Sequence, residues 1–173
     1  MKNTIVVIGG CRCGKSAHAL RLAEQIAKDK KIFIATCVPF DKELQQRVKR
    51  HQKERGSSWS TIEVPILLQQ AIIENSRKGN VILVDCLTLW LNNLLMEIDA
   101  QEYIAENIRQ LTGALNKAQC PVILVSNEVG TGIVPENRFA RLFRDMAGFV
   151  NQKVAEHADS VIWMVAGIPV KIK

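Results

Sequence analysis

Residues 9–16 read GGCRCGKS, and they stand between an apolar run, TIVVIG at 4–9, and an amphipathic run, KSAHALRLAEQIAK at 15–28. Gly9, Gly14, Lys15 and Ser16 satisfy G-x-x-x-x-G-K-S, with a buried strand expected before the glycines and a helix after them. That context makes a phosphate cradle. Successive main-chain N–H groups from Gly9, Gly10, Cys11, Arg12, Cys13 and Gly14 wrap an anion, and the helix start adds its dipole. Lys15 is placed to meet the outer phosphates and the Ser16 hydroxyl to ligate Mg²⁺. Two cysteines in the loop raise a competing thiol or metal reading, but no second C-x-C or C-x₂-C pair supplies the remaining ligands of a metal knuckle. A glycine turn that only joins strand to helix is the poorer account of motif and context together.

The rest of the chain repeats the same alternation. Apolar runs KIFIAT (31–36), NVILVD (80–85), PVILVS (121–126) and DSVIWMVAG (159–167) are separated by runs with helical spacing: 41–55, 65–76, 103–118 and 136–158. Strands apolar at nearly every position belong to a parallel sheet covered on both faces, with the helices as crossovers. The expectation is an α/β fold of doubly wound, mostly parallel type with helices on both faces. The final GIPVKIK adds a short antiparallel edge strand. At 173 residues and 47% hydrophobic, with no repeat or Pro/Gly/Ser-rich linker, residues 1–173 are expected to form one domain around one core. The stretch LWLNNLLMEI (89–98) has a broad apolar face suited either to covering the sheet or to a subunit seam, and periodicity does not choose between these.

Five cysteines, an odd number lying in or beside strand-like runs, fit reduced thiols better than a secreted disulfide framework. No segment reaches membrane length and the first residues lack a signal-peptide pattern, so a cytoplasmic protein without stable membrane insertion is expected. The formal charge is +6, and much of it lies in DKELQQRVKRHQKER at 41–55. Such a cluster suits nucleic acid or a phosphorylated small molecule. Aromatics make up only 5% and do not interleave with the basic residues, so nucleic acid is not expected and small phosphates are.

Asp85 closes the apolar run NVILVD, where a P-loop protein places the acid that holds Mg²⁺ directly or through water. Ser16 and Asp85 are therefore the candidate metal residues. The strand end PVILVSNEVGTG lacks the N-K-x-D guanine-reading motif of a signalling GTPase, and a translocating helicase is usually longer with more motifs. A small-molecule kinase or a nucleotidyltransferase remains.

Several stretches taken together, GGCRCGKS, FIAT, RVKRHQKER followed by W and E, LVDCLTLWLNNLL, VSNEVGTGIVPENRFARLFRDMAG and the final GIPVKIK, resemble the bifunctional adenosylcobinamide kinase and adenosylcobinamide-phosphate guanylyltransferase family of cobalamin assembly. The resemblance runs in order along nearly the whole chain. It implies a RecA-like P-loop fold, a homotrimer, phosphorylation of adenosylcobinamide by ATP or GTP with Mg²⁺, and GMP transfer from GTP onto the new phosphate. It departs in small ways: the family loop more often reads G-G-A-R-S-G-K-S, so Cys11 and Cys13 replace small residues, and Arg50 stands where some members carry a second histidine.

His51 is the residue that, by this resemblance, carries GMP. Its segment has Asp41 as N-cap, Glu43 in the first turn and Gly56 as a stop, with Arg47, His51 and Arg55 recurring every fourth residue to form one helical stripe. Composition alone reads it as a solvated basic helix with a bystander histidine. The chemistry accommodates the stronger reading, because a neutral imidazole nitrogen attacks a phosphorus and nearby cations keep the ring unprotonated. By the same resemblance Gln52, Lys53, Glu54, Arg55 and Glu63 contact the guanine nucleotide; Ile34, Ala35 and Thr36, at the end of the second strand, lie where parallel sheets open a ligand crevice. His18 and His157 fall in amphipathic patterns that suit surface or packing roles. Asn127, Glu128, Arg138, Arg141 and Arg144 suit the corrinoid or phosphates, and the arginines equally suit an exposed helix face. Two alternatives stay open: a plain P-loop small-molecule kinase with His51 as spectator, and a nucleotide-binding assembly protein without turnover.

Overall fold

The computed structural model describes residues 3–39, 42, 46, 57–97 and 101–173. Seven strands form one sheet: β1 (Thr4–Gly9), β2 (Lys31–Ala35), β3 (Trp59–Glu63), β4 (Val81–Asp85), β5 (Val122–Asn127), β6 (Ser160–Val165) and β7 (Ile168–Lys171). Their spatial order is β3-β2-β4-β5-β1-β6-β7. The first six in that order are mutually parallel, and β7 runs antiparallel to β6. The described helices are α1 (Lys15–Ile26), α2 (Leu68–Asn75), α3 (Leu87–Glu97), α4 (Gln101–Lys117) and α5 (Arg138–His157).

Alternation along each strand divides the core into two layers, as side chains of period two must. Ile82, Val84, Leu124 and Val161 face one side, under α2 to α5; Ile5, Val7, Leu83, Ile123, Val125 and Met164 face the other, under α1. The expected doubly wound α/β sheet with helices on both faces is what forms. The run at 89–98 proves to be sheet cover as far as it is described. In α3, Leu87, Trp90, Leu91, Leu94 and Leu95 are buried, and the Trp90 indole N–H donates to the Ile66 carbonyl at 2.7 Å. Trp59 is buried too, meeting Phe33 edge-on with ring centroids 6.3 Å apart, whereas Trp163 is exposed.

β3 is an element that apolar periodicity does not announce. Its sequence WSTIE has one anchoring aromatic, three exposed polar residues and a half-buried Ile62. It is an edge strand, paired on one side only, and residues facing water need no apolar character there. Its register sets Glu63 level with Ala35 of β2, which in turn is level with Asp85 of β4.

The C-terminal ends of the parallel strands therefore form one edge, carrying Gly9, Ala35, Glu63, Asp85 and Asn127. Crevices at that edge are where open α/β sheets bind ligands. Leu94 is fully buried between sheet and helices; Leu94→Ala is expected to lower unfolding free energy by about 3 kcal/mol. Urea titration followed by far-ultraviolet dichroism measures it, and a loss below about 1 kcal/mol would contradict the packing described.

Candidate functional site

The loop between β1 and α1 is shaped by what presses on it. A Cβ on Gly9 would stand 2.5 Å from the Met164 carbonyl oxygen of β6 and 2.7 Å from the Cys13 sulfur, so only glycine fits. Gly14 has φ 92°, in the left-handed region, and Arg12 has φ 54°. This alternation turns main-chain amides inward in the manner of an anion-binding nest. No side chain caps α1: Gly14 is its N-cap, and its carbonyl accepts the first helical bond from the His18 N–H at 3.0 Å. The helix start therefore presents its leading amides toward the loop.

The turn between β6 and β7 braces the loop from outside. The Gly167 N–H donates to the Cys13 carbonyl at 3.1 Å, and the Gly167 Cα lies 3.6 Å from where a Cβ on Gly14 would be. On the opposite flank the Glu128 N–H donates to the Gly9 carbonyl at 3.0 Å. Lys15 is buried, and its ammonium donates to the Gly10 carbonyl at 2.6 Å and reaches the Cys13 sulfur at 3.6 Å. Gly10, Cys11 and Arg12 crown the loop, with Cys11 and Arg12 exposed, and Ser16 is half-buried in the first turn of α1.

Asp85, half-buried, ends β4, with β5 between it and β1. Strand spacing puts β4 about 10 Å from β1, within reach of a metal-bound triphosphate tail. A hydroxyl and a carboxylate are hard oxygen donors suited to Mg²⁺, which keeps several waters and is shared with phosphates instead of being caged by protein. Among the described residues no group of three or more His, Cys, Asp or Glu comes together to hold a metal.

Next to Asp85 a clamp fixes the strand ends. The Thr36 hydroxyl, fully buried, donates to the Cys86 carbonyl at 2.7 Å and accepts from the Cys86 N–H at 2.8 Å. Asn93 of α3 donates to the Thr36 carbonyl at 2.8 Å. Burial, with the Asp85 charge adding to it, pushes the Cys86 thiol up to about 11. Ile34 points into the core with no exposure and Ala35 is half-buried, so the expected crevice residues of β2 offer main chain more than side chains. Glu63 is exposed at the far end of the edge, four strand spacings or about 19 Å from β1. His51, Gln52, Lys53, Glu54 and Arg55 lie outside the described residues. Of the other histidines, His18 is held below the usual imidazole range by burial and then by Arg21, and His157 Nδ1 lies 2.9 Å from the Lys153 carbonyl.

A second group of polar side chains spans the rim. The Ser126 hydroxyl donates to Asn151 Oδ1 at 2.6 Å, Asn151 Nδ2 donates to the Asn127 carbonyl at 3.2 Å, and Asn127 Nδ2 donates to the Thr88 hydroxyl at 2.7 Å. Thr88 Oγ1 in turn lies 3.0 Å from the Cys86 sulfur. The bracing by Met164 and Gly167 and the Thr88–Asn151 links have no local pattern; only the Ala-Gly pair at 166–167 marks a turn in the sequence.

A family model described as cobinamide kinase / cobinamide phosphate guanyltransferase matches residues 5–172. The chain belongs to that family. Among curated relatives it is 40% identical over 184 residues to the bifunctional adenosylcobalamin biosynthesis protein CobU of Salmonella typhimurium, covering 98% of this chain and 99% of that one. It is 38% identical over 171 residues to the bifunctional adenosylcobalamin biosynthesis protein CobP of Pseudomonas aeruginosa, covering 97% and 96%. Among solved structures it is similar to an ATPase domain at TM-score 0.52 and 14% identity, covering 94% of this chain and 69% of the other. That likeness concerns the fold alone.

Two outcomes follow from this geometry. Cys13 beside the Lys15 ammonium is expected to be alkylated by iodoacetamide several-fold more slowly with Mg-GTP present, read by peptide mass spectrometry; equal rates would place the triphosphate elsewhere. Because the folded Cys86 thiol titrates above its unfolded value of 9.0, its contribution is complete below pH 9 and lost as the pH rises toward about 11. The stability difference between wild type and Cys86→Ala is expected to shift against wild type across that window, and denaturant melts at pH 8, 9 and 10 test the sign.

Proposed function

We infer that this protein phosphorylates adenosylcobinamide with ATP or GTP and then transfers GMP from GTP to the product, giving adenosylcobinamide-GDP in cobalamin nucleotide-loop assembly. The observation that carries the reading is a complete phosphate loop, with a buried Lys15 and inward amides, in a chain that matches the family model from residue 5 to residue 172.

In the first reaction the loop amides and the start of α1 hold the nucleotide's phosphates, and Lys15 exchanges the Gly10 carbonyl for a phosphate oxygen. Ser16 and Asp85 are the residues that would hold Mg²⁺, which when bound offsets charge on the outer phosphates. The acceptor hydroxyl oxygen bonds to the terminal phosphorus as the bridging P–O bond breaks. In the second, a neutral His51 nitrogen bonds to the α-phosphorus of GTP and pyrophosphate leaves. An oxygen of the cobinamide phosphate then displaces the histidine, breaking the P–N bond. Arg47, Arg50, Lys53 and Arg55, spaced around His51 in the sequence, suit the balance of charge on the transferring group. Glu63 supplies a carboxylate apt for the N1 and N2 donors of guanine.

We further read the protein as a cytoplasmic homotrimer. No described helix is long and apolar enough to cross a membrane. Exposed apolar residues along β6 and β7 and just after β7, namely Trp163, Val165, Ile168, Val170 and Ile172, support association with further copies. One fold, residues 1–173, is taken to serve both reactions.

The test separates the two activities. In His51→Ala, ATP-dependent phosphorylation of adenosylcobinamide is expected to persist while GMP transfer disappears. Incubation with α-labelled GTP is expected to leave acid-labile, base-stable label on wild type and none on the variant. Loss of both activities, or of neither, would contradict the assignment, and retained transfer would reduce His51 to a spectator.

A further inference from the structure

We propose that the Asn127 side chain orients the hydroxyl that receives the phosphoryl group, and that Thr88 is the positioning residue that holds Asn127 for this task. The proposal rests on the kinase reading above and assigns a role within it to residues outside the phosphate loop and the metal pair.

Placement comes first. β5 lies between β1, which ends in the phosphate loop, and β4, which ends in Asp85. Asn127 is level with Gly9, while Asp85 is level with Val125, so Asn127 stands two residues further out toward the crevice. Residues Ile123 and Val125 of β5 pack in the layer under α1, and period two puts the Asn127 side chain on that same face, the face of the phosphate loop. A terminal phosphate held by the loop and shared with a cation at Asp85 has Asn127 at the strand between them.

Orientation comes second. Asn127 is held by both its main chain and its amide: its carbonyl accepts from Asn151 Nδ2, and its Nδ2 is committed to Thr88 Oγ1. Both anchors are themselves buried and tied, Asn151 to Ser126 and Thr88 to Cys86. With one N–H committed to Thr88, the amide keeps a second N–H and Oδ1, and Oδ1, an acceptor, is the atom that can receive a hydrogen bond from a hydroxyl. An acceptor cannot pair with an ionised phosphate oxygen. It pairs with a donor, and the acceptor substrate's hydroxyl is a donor that must stand beside the terminal phosphate in this reaction. A hydrogen bond from that hydroxyl to Oδ1 turns its lone pair toward phosphorus. As the new O–P bond forms and the bridging O–P bond breaks, releasing the nucleoside diphosphate, the hydroxyl proton passes to a phosphoryl oxygen and then to water. The amide takes no proton.

The experiment compares wild type with Asn127→Ala, Thr88→Val and Thr88→Ser. Measured for each are kcat and KM for adenosylcobinamide phosphorylation, the single-turnover rate of protein labelling by α-labelled GTP, Kd for Mg-GTP, and Tm. Asn127→Ala is expected to lower the phosphorylation kcat by about 10- to 100-fold, with Kd and the labelling rate staying within about twofold. Thr88→Val, nearly isosteric and so usable should the first variant fold poorly, is expected to lower kcat in the same selective way, by about 3- to 10-fold, and Thr88→Ser to restore it. A kcat unchanged in both Asn127→Ala and Thr88→Val overturns the proposal. So does a parallel fall in labelling and nucleotide affinity, which would mark the network as scaffold for the whole site. Wild type that labels with GTP but never phosphorylates the corrinoid overturns the kinase reading and this proposal together, whereas active wild type with unaffected variants overturns this proposal alone.

Discussion

With the Met164 carbonyl oxygen 2.5 Å and the Cys13 sulfur 2.7 Å from the point a Cβ on Gly9 would occupy, the first strand, the phosphate loop and β6 can meet only through a residue without a side chain. Everything chemical in the fold depends on that approach. It lets the loop close against the sheet, so that its amides point inward and Lys15 lies back on the Gly10 carbonyl instead of extending into water. It also brings the turn after β6 within hydrogen-bonding distance of Cys13, which converts a flexible glycine-bounded loop into a braced one. A site held in this way loses little conformational entropy when an anion enters.

The second organising feature is the line of buried polar groups across the strand ends. Thr36 grips Cys86 by both its N–H and its carbonyl, Thr88 touches Cys86 and receives Asn127, and Asn151 receives Ser126 and holds the Asn127 carbonyl. Each member is satisfied by a neighbour from a different element, so β2, β4, β5, α3 and α5 are fastened at the strand-end edge, where open α/β sheets bind ligands. Buried networks of this kind are costly when incomplete and rigid when complete. Here completeness leaves the acid at Asp85 and the amide oxygen at Asn127 on a common, fixed rim.

Most of the architecture was legible because burial on both faces writes itself into composition: VILVD and VILVS have no alternation to misread, and the glycine loop sits between a strand and a helix as its motif requires. β3 was not legible, since an edge strand with Ser60 and Thr61 in water carries neither an apolar run nor a helical period. The apolar face of α3 was visible, but its partner was not; Trp90 and Leu94 belong to the sheet's cover, a fact decided by strands far away in sequence. The site divides likewise. Lys15, Ser16 and Asp85 are recognisable from local motif, and the family match rests on short stretches spread along the chain. The tie from Thr88 to Asn127 spans 39 residues and that from Thr36 to Cys86 spans 50, so neither leaves a local trace.

The bracing turn carries one more implication. Cys13 and Gly167, joined by a single N–H to carbonyl bond, are separated by almost the full length of the fold. The loop that follows β1 is thus braced by the hairpin of β6 and β7. A growing chain on the ribosome would already have made β1 and α1 while the closing hairpin was still inside the exit tunnel, and during that interval the loop would be exposed without its brace. An anion held by the loop would thereby be linked to closure of that hairpin, and its binding would stabilise the braced form over fragments that lack it.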